Sequence, residues 1–141
     1  MASVILHTFD KVRDTGKMQL FRSHNPKFKD GMQLRDFVYV KDIVSVMLFL
    51  YRQQPESGLY NLGTGHAQSF LELARSTFRA MNLEPNIEFI DMPLDLREKY
   101  QYFTEANIAK LCRVGYDKPF YNLQDGVFDY VTNYLIPNKY L

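Results

Sequence analysis

The chain has 141 residues, a size typical of one domain, and 46% of them are hydrophobic, which is enough for a core. Seventeen basic and sixteen acidic residues give a net charge of +1, which argues against a nucleic-acid or membrane partner held by bulk electrostatics. The single cysteine, Cys112, excludes an internal disulfide framework and fits a reducing cytoplasm, where we expect the protein. No run approaches the ~18 apolar residues of a membrane span. We expect Cys112 to be an ordinary core residue.

Helical periodicity alternates with short runs of aromatic and β-branched residues along the chain. The predicted strands are residues 18–21, 36–40, 59–62 and 87–90. The predicted helices are residues 1–15, a helix capped by Asp42 and ended by Pro55, a helix begun by a Ser69–Glu72 capping box, a helix from a Thr104 cap to Leu111, and residues 123–135. No repeat or linker divides the chain. This order predicts one α/β unit, residues 1–141, with some parallel pairing.

A polar loop over residues 22–33 separates the first two strands. The helices after Asp42 and after Ser69 each have a predicted buried face. The face of the helix after Asp42 consists of Ile43, Val46, Met47, Leu50 and Tyr51. The face of the helix after Ser69 consists of Phe70, Leu73, Ala74, Phe78 and Met81.

Gly63-x-Gly65 lies between a predicted strand and a predicted helix, as in a dinucleotide-binding turn. That motif needs a third small residue, and Gln68 occupies the position. We therefore predict a tight turn whose glycines let the backbone pass close to another group. No tyrosine is followed four positions later by lysine, so the acid–base dyad of short-chain dehydrogenases is also missing. Neither the cofactor loop nor the dyad is encoded in this chain.

The remaining candidates for chemistry are histidines and an arginine. His7, His24 and His66 are too scattered to predict a metal site. Arg35 follows a loop rich in basic residues and allows two interpretations. It either forms an ordinary salt bridge with Asp36 or clamps an anionic ligand, since a planar guanidinium suits bidentate phosphate contact.

Four segments carry a resemblance to a known family, and residues 115–120 support them near the C-terminus. They are residues 1–4 with His7, residues 34–42, residues 60–65 and residues 99–104. With these segments the chain resembles the ADP-glycero-manno-heptose 6-epimerases, extended short-chain dehydrogenase-type enzymes of lipopolysaccharide precursor synthesis. The resemblance spans nearly all 141 residues, but only the C-terminal half or less of a full-length member.

The resemblance implies the fold class: the C-terminal substrate-binding portion of an extended short-chain dehydrogenase fold, without its N-terminal Rossmann core. NADP and the catalytic tyrosine and lysine would belong to regions outside this chain. The family reaction oxidises the heptose side-chain carbon transiently and returns the hydride to its other face. We therefore expect this chain alone to be inactive, with no catalytic, cofactor-binding or metal-binding residue and no bound cofactor. The full-length enzyme would use NADP and form a homo-oligomer.

The resemblance also implies which residues contact the ADP-sugar. Arg35 would hold the diphosphate, Tyr100 would donate its hydroxyl to phosphate or sugar, and Phe21 with its neighbours would line the nucleotide. The complete set is His7, Phe21, Arg22, Ser23, His24, Arg35 and Tyr100.

Two alternatives stay open at this point. The chain could belong to a UDP- or GDP-sugar epimerase or dehydratase, or it could be a non-catalytic nucleotide-sugar-binding or interaction module. Because residues 59–62 read as a strand of a larger sheet, we expect unpaired edges and exposed apolar surface in the isolated chain. Self-association or marginal stability would follow.

Overall fold

A computed structural model describes residues 3–139 of the chain. Its strands are β1 (Met18–Phe21), β2 (Leu34–Arg35), β3 (Gln68–Ser69), β4 (Ile87–Ile90) and β5 (Phe103–Thr104). Its helices are α1 (Val4–Thr15), α2 (Val40–Gln53), α3 (Phe70–Ala80), α4 (Leu94–Arg97), α5 (Ala109–Arg113) and α6 (Leu123–Tyr130), which continues into a π-helical turn, Val131–Leu135. No helix in this described range is long and apolar enough to cross a membrane.

The strands form two small sheets. In the first, β1 and β4 run parallel, with Met18 opposite Ile87 and Phe21 opposite Ile90. In the second, β2 lies between β3, which is antiparallel to it, and β5, which is parallel. The prediction of an α/β unit with some parallel pairing is therefore confirmed.

The main core lies where α1, α3 and α6 pack over β1 and β4. The amphipathic helix α3 supplies much of it, because apolar side chains recur three and four residues apart on one face. Phe78 and Ala74 have no exposed surface. The other buried residues of this cluster are Phe9, Val12, Met18, Leu20, Leu73, Ala80, Leu123, Val127 and Val131. A second, smaller cluster joins α2 to α5 and consists of Val46, Leu111 and Tyr116.

The helix ends follow their local sequence signals. Gly16 ends α1 in the left-handed conformation, with φ of 67°, as predicted. Ser3 occupies the N-cap position of that helix without a side-chain capping bond, and Met1 and Ala2 lie outside the described residues. The Ser69 hydroxyl accepts a hydrogen bond of 3.1 Å from the Glu72 amide at the start of α3. This half of the predicted capping box is confirmed. In the other half the Glu72 carboxylate would accept from the Ser69 amide, but it accepts a hydrogen bond from the Gln124 side chain of α6 instead.

The predicted strand over residues 36–40 and its Asp42 cap are wrong. The strand ends at Arg35. The Asp36 amide still donates to the Thr104 carbonyl at 2.9 Å, but the next amide of the opposite segment, that of Ala106, donates to the Asp36 carboxylate. Tyr39 is the N-cap of α2, and no side chain caps it. Asp42 lies inside the first turn of α2, where its carboxylate accepts a hydrogen bond from the Tyr121 amide.

Two other predicted elements are also wrong. Residues 59–62 form no strand, since they have no partner strand in the described part of the chain. Thr104 belongs to β5, opposite Arg35, and the helix that it was expected to cap starts only at Ala109. The sequence patterns also missed α4, a single turn with no buried residue.

Some of the burial predictions are wrong. On α2 Val46 is buried, but Met47 and Tyr51 are 61% and 77% exposed. Cys112 is exposed on α5 rather than in the core. The predicted helix over residues 123–135 is confirmed, although its last turn is π-helical.

Candidate functional site

Arg35 presents a half-buried cation that is not paired with a carboxylate. Its guanidinium lies 5.3 Å from the centre of the Tyr100 ring and 5.8 Å from that of Phe70. One nitrogen, Nη1, donates to the Leu34 carbonyl at 2.8 Å. None of the ion pairs among residues 3–139 includes Arg35, so the predicted alternative of a salt bridge with Asp36 is wrong. Aromatic faces hold the charge in place and leave donors for an anionic ligand.

Tyr100 and Phe21 complete an aromatic wall beside this cation. The two rings meet edge to face at 6.4 Å, and Tyr100 meets Tyr102 in the same way at 5.1 Å. Burial raises the pKa of the Tyr100 phenol, and the charge of Arg35 only partly offsets this effect. The phenol is therefore protonated at neutral pH and can donate a hydrogen bond.

The strand pairing explains why these residues meet. Tyr100 and Tyr102 immediately precede β5, which runs beside the β2 residue Arg35, and the Leu34 amide donates to the Tyr102 carbonyl at 2.9 Å. Phe21 is the last residue of β1. Three sequence regions, around Phe21, Arg35 and Tyr100, thus reach one place through the sheets.

The polar loop after β1 is fastened to the same wall. The His24 amide donates to the Tyr102 hydroxyl at 3.2 Å. The Ser23 amide donates to the Asp30 carboxylate at 2.7 Å, and the Ser23 hydroxyl donates to the Asn25 carbonyl. The loop backbone therefore has a fixed path that begins at Phe21 and passes Tyr100 and Tyr102.

Two of the predicted site residues are placed less tightly. The Arg22 amide continues the β1–β4 pairing by donating to the Ile90 carbonyl at 2.8 Å, while its side chain is exposed. His7 is exposed on α1, and no side-chain hydrogen bond in the described range connects it to Arg35 or Tyr100. The structure thus brings together Phe21, Ser23, His24, Arg35 and Tyr100.

Asp36 is an organising residue that the sequence patterns did not reveal. Its carboxylate accepts hydrogen bonds from the Thr64 amide at 2.8 Å, the Thr64 hydroxyl at 2.5 Å, and the Gly65 and Ala106 amides at 3.0 Å each. Burial alone would raise the pKa of this carboxyl, but the hydrogen bonds from Thr64, Ala106 and Gly65 outweigh it and hold the pKa below its usual value. The charged carboxylate joins three chain segments directly behind Arg35.

Gly63 shows what the glycine turn is for. A Cβ atom at this position would lie 2.5 Å from the Asp36 carboxylate and from the Ala106 side chain. This close approach confirms the prediction that the glycines let the backbone pass near another group. Because the Thr64 and Gly65 amides are already bonded to Asp36, the turn does not fit a cofactor pyrophosphate. The sequence had indicated this misfit, because Gln68 stands where the dinucleotide motif needs a third small residue.

A second polar cluster connects the start of α2 to α6. Lys41 lies 2.6 Å from the Asp129 carboxylate, which also accepts a hydrogen bond from the Tyr39 hydroxyl at 2.7 Å. The hydrogen bond from Lys41 lowers the pKa of Asp129, and burial, aided by that carboxylate, raises the pKa of Tyr39. Since both charges are neutralised within the cluster, we assign it a positioning role for α2.

Among residues 3–139, no group of three or more histidine, cysteine, aspartate or glutamate side chains is arranged to hold a metal ion.

Comparison with known proteins shows what this chain is similar to. Residues 2–63 match the sequence model of the NAD dependent epimerase/dehydratase family. An ADP-L-glycero-D-manno-heptose-6-epimerase of Fusobacterium nucleatum is 50% identical over 96% of this chain and 42% of the relative. A protein of the same name from Nitratidesulfovibrio vulgaris is 48% identical, with the same coverage. The chain thus spans about two fifths of the length of the curated relatives it matches.

Solved structures agree on the fold. The crystal structure of Helicobacter pylori ADP-L-glycero-D-manno-heptose-6-epimerase superposes with a TM-score of 0.74 at 26% identity, over 94% of this chain and 38% of that one. A UDP-N-acetylglucosamine 4-epimerase from Methanobrevibacter ruminantium gives a TM-score of 0.77 at 16% identity, over 98% and 40% of the two chains. The second likeness bears on the fold alone.

The fold is that of the C-terminal portion of extended short-chain dehydrogenase-type enzymes, and residues 2–63 carry the sequence match to the NAD dependent epimerase/dehydratase family. Over nearly its whole length the chain is similar to the ADP-L-glycero-D-manno-heptose-6-epimerases, as the resemblance in its four segments predicted.

Proposed function

We propose that this chain is the substrate-binding part of an NADP-dependent epimerase that interconverts ADP-D-glycero- and ADP-L-glycero-D-manno-heptose for lipopolysaccharide core synthesis. The names of the relatives at 48–50% identity support this choice of sugar nucleotide. The observation that carries it is the Arg35 cation, which is held by aromatic rings rather than by a carboxylate.

The chemistry of the site suits a nucleoside diphosphate sugar. The guanidinium of Arg35 can accept the charge of the diphosphate in a bidentate manner. The protonated Tyr100 phenol can donate to a phosphate or sugar oxygen, and the Phe21 ring offers an aromatic face beside it. Arg22, Ser23 and His24 would border the nucleotide. His7, on α1, would also contact the substrate.

Oxidation and proton transfer would come from the rest of the protein. The turn at Gly63 does not fit a dinucleotide, so this chain would not hold the cofactor. Its residues would bind and orient the substrate. The chain alone would be inactive. The whole protein would act in the cytoplasm as a homo-oligomer with NADP.

A chimera tests this proposal, with residues 1–141 replacing the matching segment of the Fusobacterium nucleatum relative. Calorimetry would compare binding of ADP-, UDP- and GDP-sugars to the chimera, and chromatography would follow epimerisation of ADP-D-glycero-D-manno-heptose. We expect ADP-sugar to bind at least tenfold more tightly than the other two, about 1.4 kcal/mol. A preference for UDP-sugar would contradict the heptose assignment. Tight ADP-sugar binding by the isolated, monomeric chain would instead favour a stand-alone binding module.

A further inference from the structure

A groove at the C-terminal end of α3 is lined by charged and polar side chains that the proposed function does not use. It encloses a cavity of about 400 Å³, and all of its lining residues are exposed, so that the cavity is accessible from solvent. We call it the α3 groove: Arg75, Arg79, Asn82, Leu83, Glu84 and Pro85. None of these residues belongs to the candidate site around Arg35.

The two arginines of the groove lie on the same face of α3. The opposite face buries Leu73 and Phe78 in the main core. Because Arg75 and Arg79 are four residues apart, their Cβ atoms are about 5–6 Å from each other on the exposed face. Like charges at this spacing repel and destabilise a helix. An anion bound between them would remove this repulsion.

No group in the described part of the chain neutralises either arginine. The ion pairs among residues 3–139 do not include Arg75 or Arg79. The arginine side chains that donate hydrogen bonds in this range are those of Arg13, Arg35 and Arg97. Both guanidinium groups of the groove therefore keep their donors for a ligand.

The end of α3 does not account for the two cations either. A basic side chain in the last turn of a helix can bond the final carbonyls and favours the helix dipole. Here the Leu83 amide donates to the Phe78 carbonyl at 3.0 Å, and Asn82, with φ of 55°, turns the chain back beside the arginines. The dipole effect is confined to the last turn, so it does not explain Arg75.

The chemistry of the lining indicates one class of ligand. Two planar guanidinium groups suit a phosphate monoester, which carries nearly two negative charges at neutral pH. The Asn82 side-chain amide can donate and accept hydrogen bonds, and the Glu84 carboxylate can accept them, so both suit hydroxyl groups. The same carboxylate disfavours an anionic membrane surface at this position.

We propose that the α3 groove binds a sugar phosphate or another polyol phosphate monoester. Arg75 and Arg79 hold the phosphate, and Asn82 and Glu84 form hydrogen bonds with hydroxyl groups of the same molecule. The groove shares no residue with the ADP-sugar site, so the inference goes beyond the proposed function.

Calorimetry on the full chain, with glucose 6-phosphate as the probe, tests the role of the two arginines at physiological ionic strength. Arg75→Gln and Arg79→Gln should each weaken binding about tenfold or more, since each removes a charged donor from the phosphate. Arg113→Gln, at an exposed arginine on α5, is the matched control and should leave the affinity unchanged. An undiminished affinity in Arg79→Gln, or an equal loss in Arg113→Gln, would overturn the proposal.

Two further probes identify the source of the phosphate group. We expect inorganic phosphate to bind about tenfold more weakly than glucose 6-phosphate, because it makes no contact through sugar hydroxyls. Glu84→Gln should narrow this ratio by strengthening the binding of inorganic phosphate. Vesicles containing phosphatidic acid, a lipid with a phosphate monoester, should not retain the chain. Equal affinity for the two soluble probes, or retention by the vesicles that Arg75→Gln abolishes, would overturn the assignment to a sugar phosphate.

Arg35→Gln separates this inference from the proposed function. Binding of glucose 6-phosphate in the α3 groove should persist in this variant and be lost in Arg79→Gln. If binding is lost in Arg35→Gln and kept in Arg79→Gln, the groove is not the site, and the proposed function is unaffected. A chimera that binds glucose 6-phosphate through Arg79 but binds no ADP-sugar would support the groove and overturn the proposed function.

Discussion

Arg35 and Asp36 are neighbours in the sequence, but their side chains serve different purposes. Arg35 lies against aromatic rings with donors left over, whereas Asp36 accepts four hydrogen bonds on the opposite side of β2. Successive residues of an extended strand point to opposite sides, and this alternation separates the two charges. Asp36 thereby fixes the chain behind the arginine, and Arg35 keeps its charge for a ligand.

Replacing Asp36 with asparagine should lower the free energy of unfolding by about 2–3 kcal/mol, because hydrogen bonds to a charged acceptor become bonds to a neutral amide and one oxygen is lost. Urea unfolding at pH 7 measures the change. Asp117→Asn, at an exposed aspartate, is the matched control and should shift the midpoint little. Equal effects of the two substitutions would contradict the role assigned to Asp36.

The same residue predicts a pH dependence. The hydrogen bonds hold the pKa of Asp36 in the folded chain below its unfolded value of 3.8, despite burial. Its contribution to stability is then complete above pH 3.8 and is lost as the pH falls through the lower, folded pKa. The difference in unfolding free energy between the wild type and Asp36→Asn should be constant from pH 7 to 5 and narrow below about pH 4. A difference that stays constant down to pH 3 would argue against a lowered pKa.

Among the helices and strands, those with their own local apolar periodicity could be predicted from the sequence. Helices α1 and α3 and strands β1 and β4 were predicted because each carries its own apolar pattern and boundary residue. The two-residue strand β2 could not be delimited, since it ends where Asp36 finds partners nearly 30 and 70 residues away. Residues 59–62 have a strand pattern, but a strand also needs a neighbour, which a pattern cannot supply.

Some residues of the candidate site could likewise be predicted from the sequence, but the contacts between them could not. Arg35 could be proposed from its chemistry, and Phe21 and Tyr100 from the family resemblance. That these three side chains meet depends on the parallel pairing of β2 with β5, which joins distant parts of the chain. The four hydrogen bonds to Asp36 had no local signal beyond Gly63, which makes room for its carboxylate. Contacts between residues far apart in the sequence account for most of what was missed.

The cap of α3 offers a test at this scale. Ser69→Ala removes the acceptor for the Glu72 amide and should cost about 1 kcal/mol of unfolding free energy. Ser69→Thr keeps the hydroxyl and should retain most of the stability. Urea midpoints of the two variants measure the difference. If threonine proves as damaging as alanine, tight packing around this buried position, rather than capping, determines its contribution.

Over the whole molecule, large apolar side chains are exposed along α2 and at Leu59. Those of α2 are Val40, Val44, Met47, Leu48 and Tyr51. The isolated chain should therefore self-associate, and its sedimentation coefficient should rise with concentration. Met47→Glu should reduce this rise more than Phe128→Glu does, because only the first change places a charge among the exposed apolar side chains of α2. A wild-type chain that sediments as a monomer at every concentration would contradict this expectation.

We propose above that Arg35 holds the diphosphate of an ADP-sugar. Calorimetry of ADP-D-glycero-D-manno-heptose binding to the chimera with Arg35→Lys tests it most directly, with Arg113→Lys, at an exposed arginine on α5, as the control. Lysine keeps the positive charge but loses the planar fork, so we expect Arg35→Lys to weaken binding about tenfold to a hundredfold and Arg113→Lys to leave it unchanged. Equal affinity of the Arg35→Lys chimera and the unmodified chimera would show that Arg35 does not bind the diphosphate through its planar guanidinium.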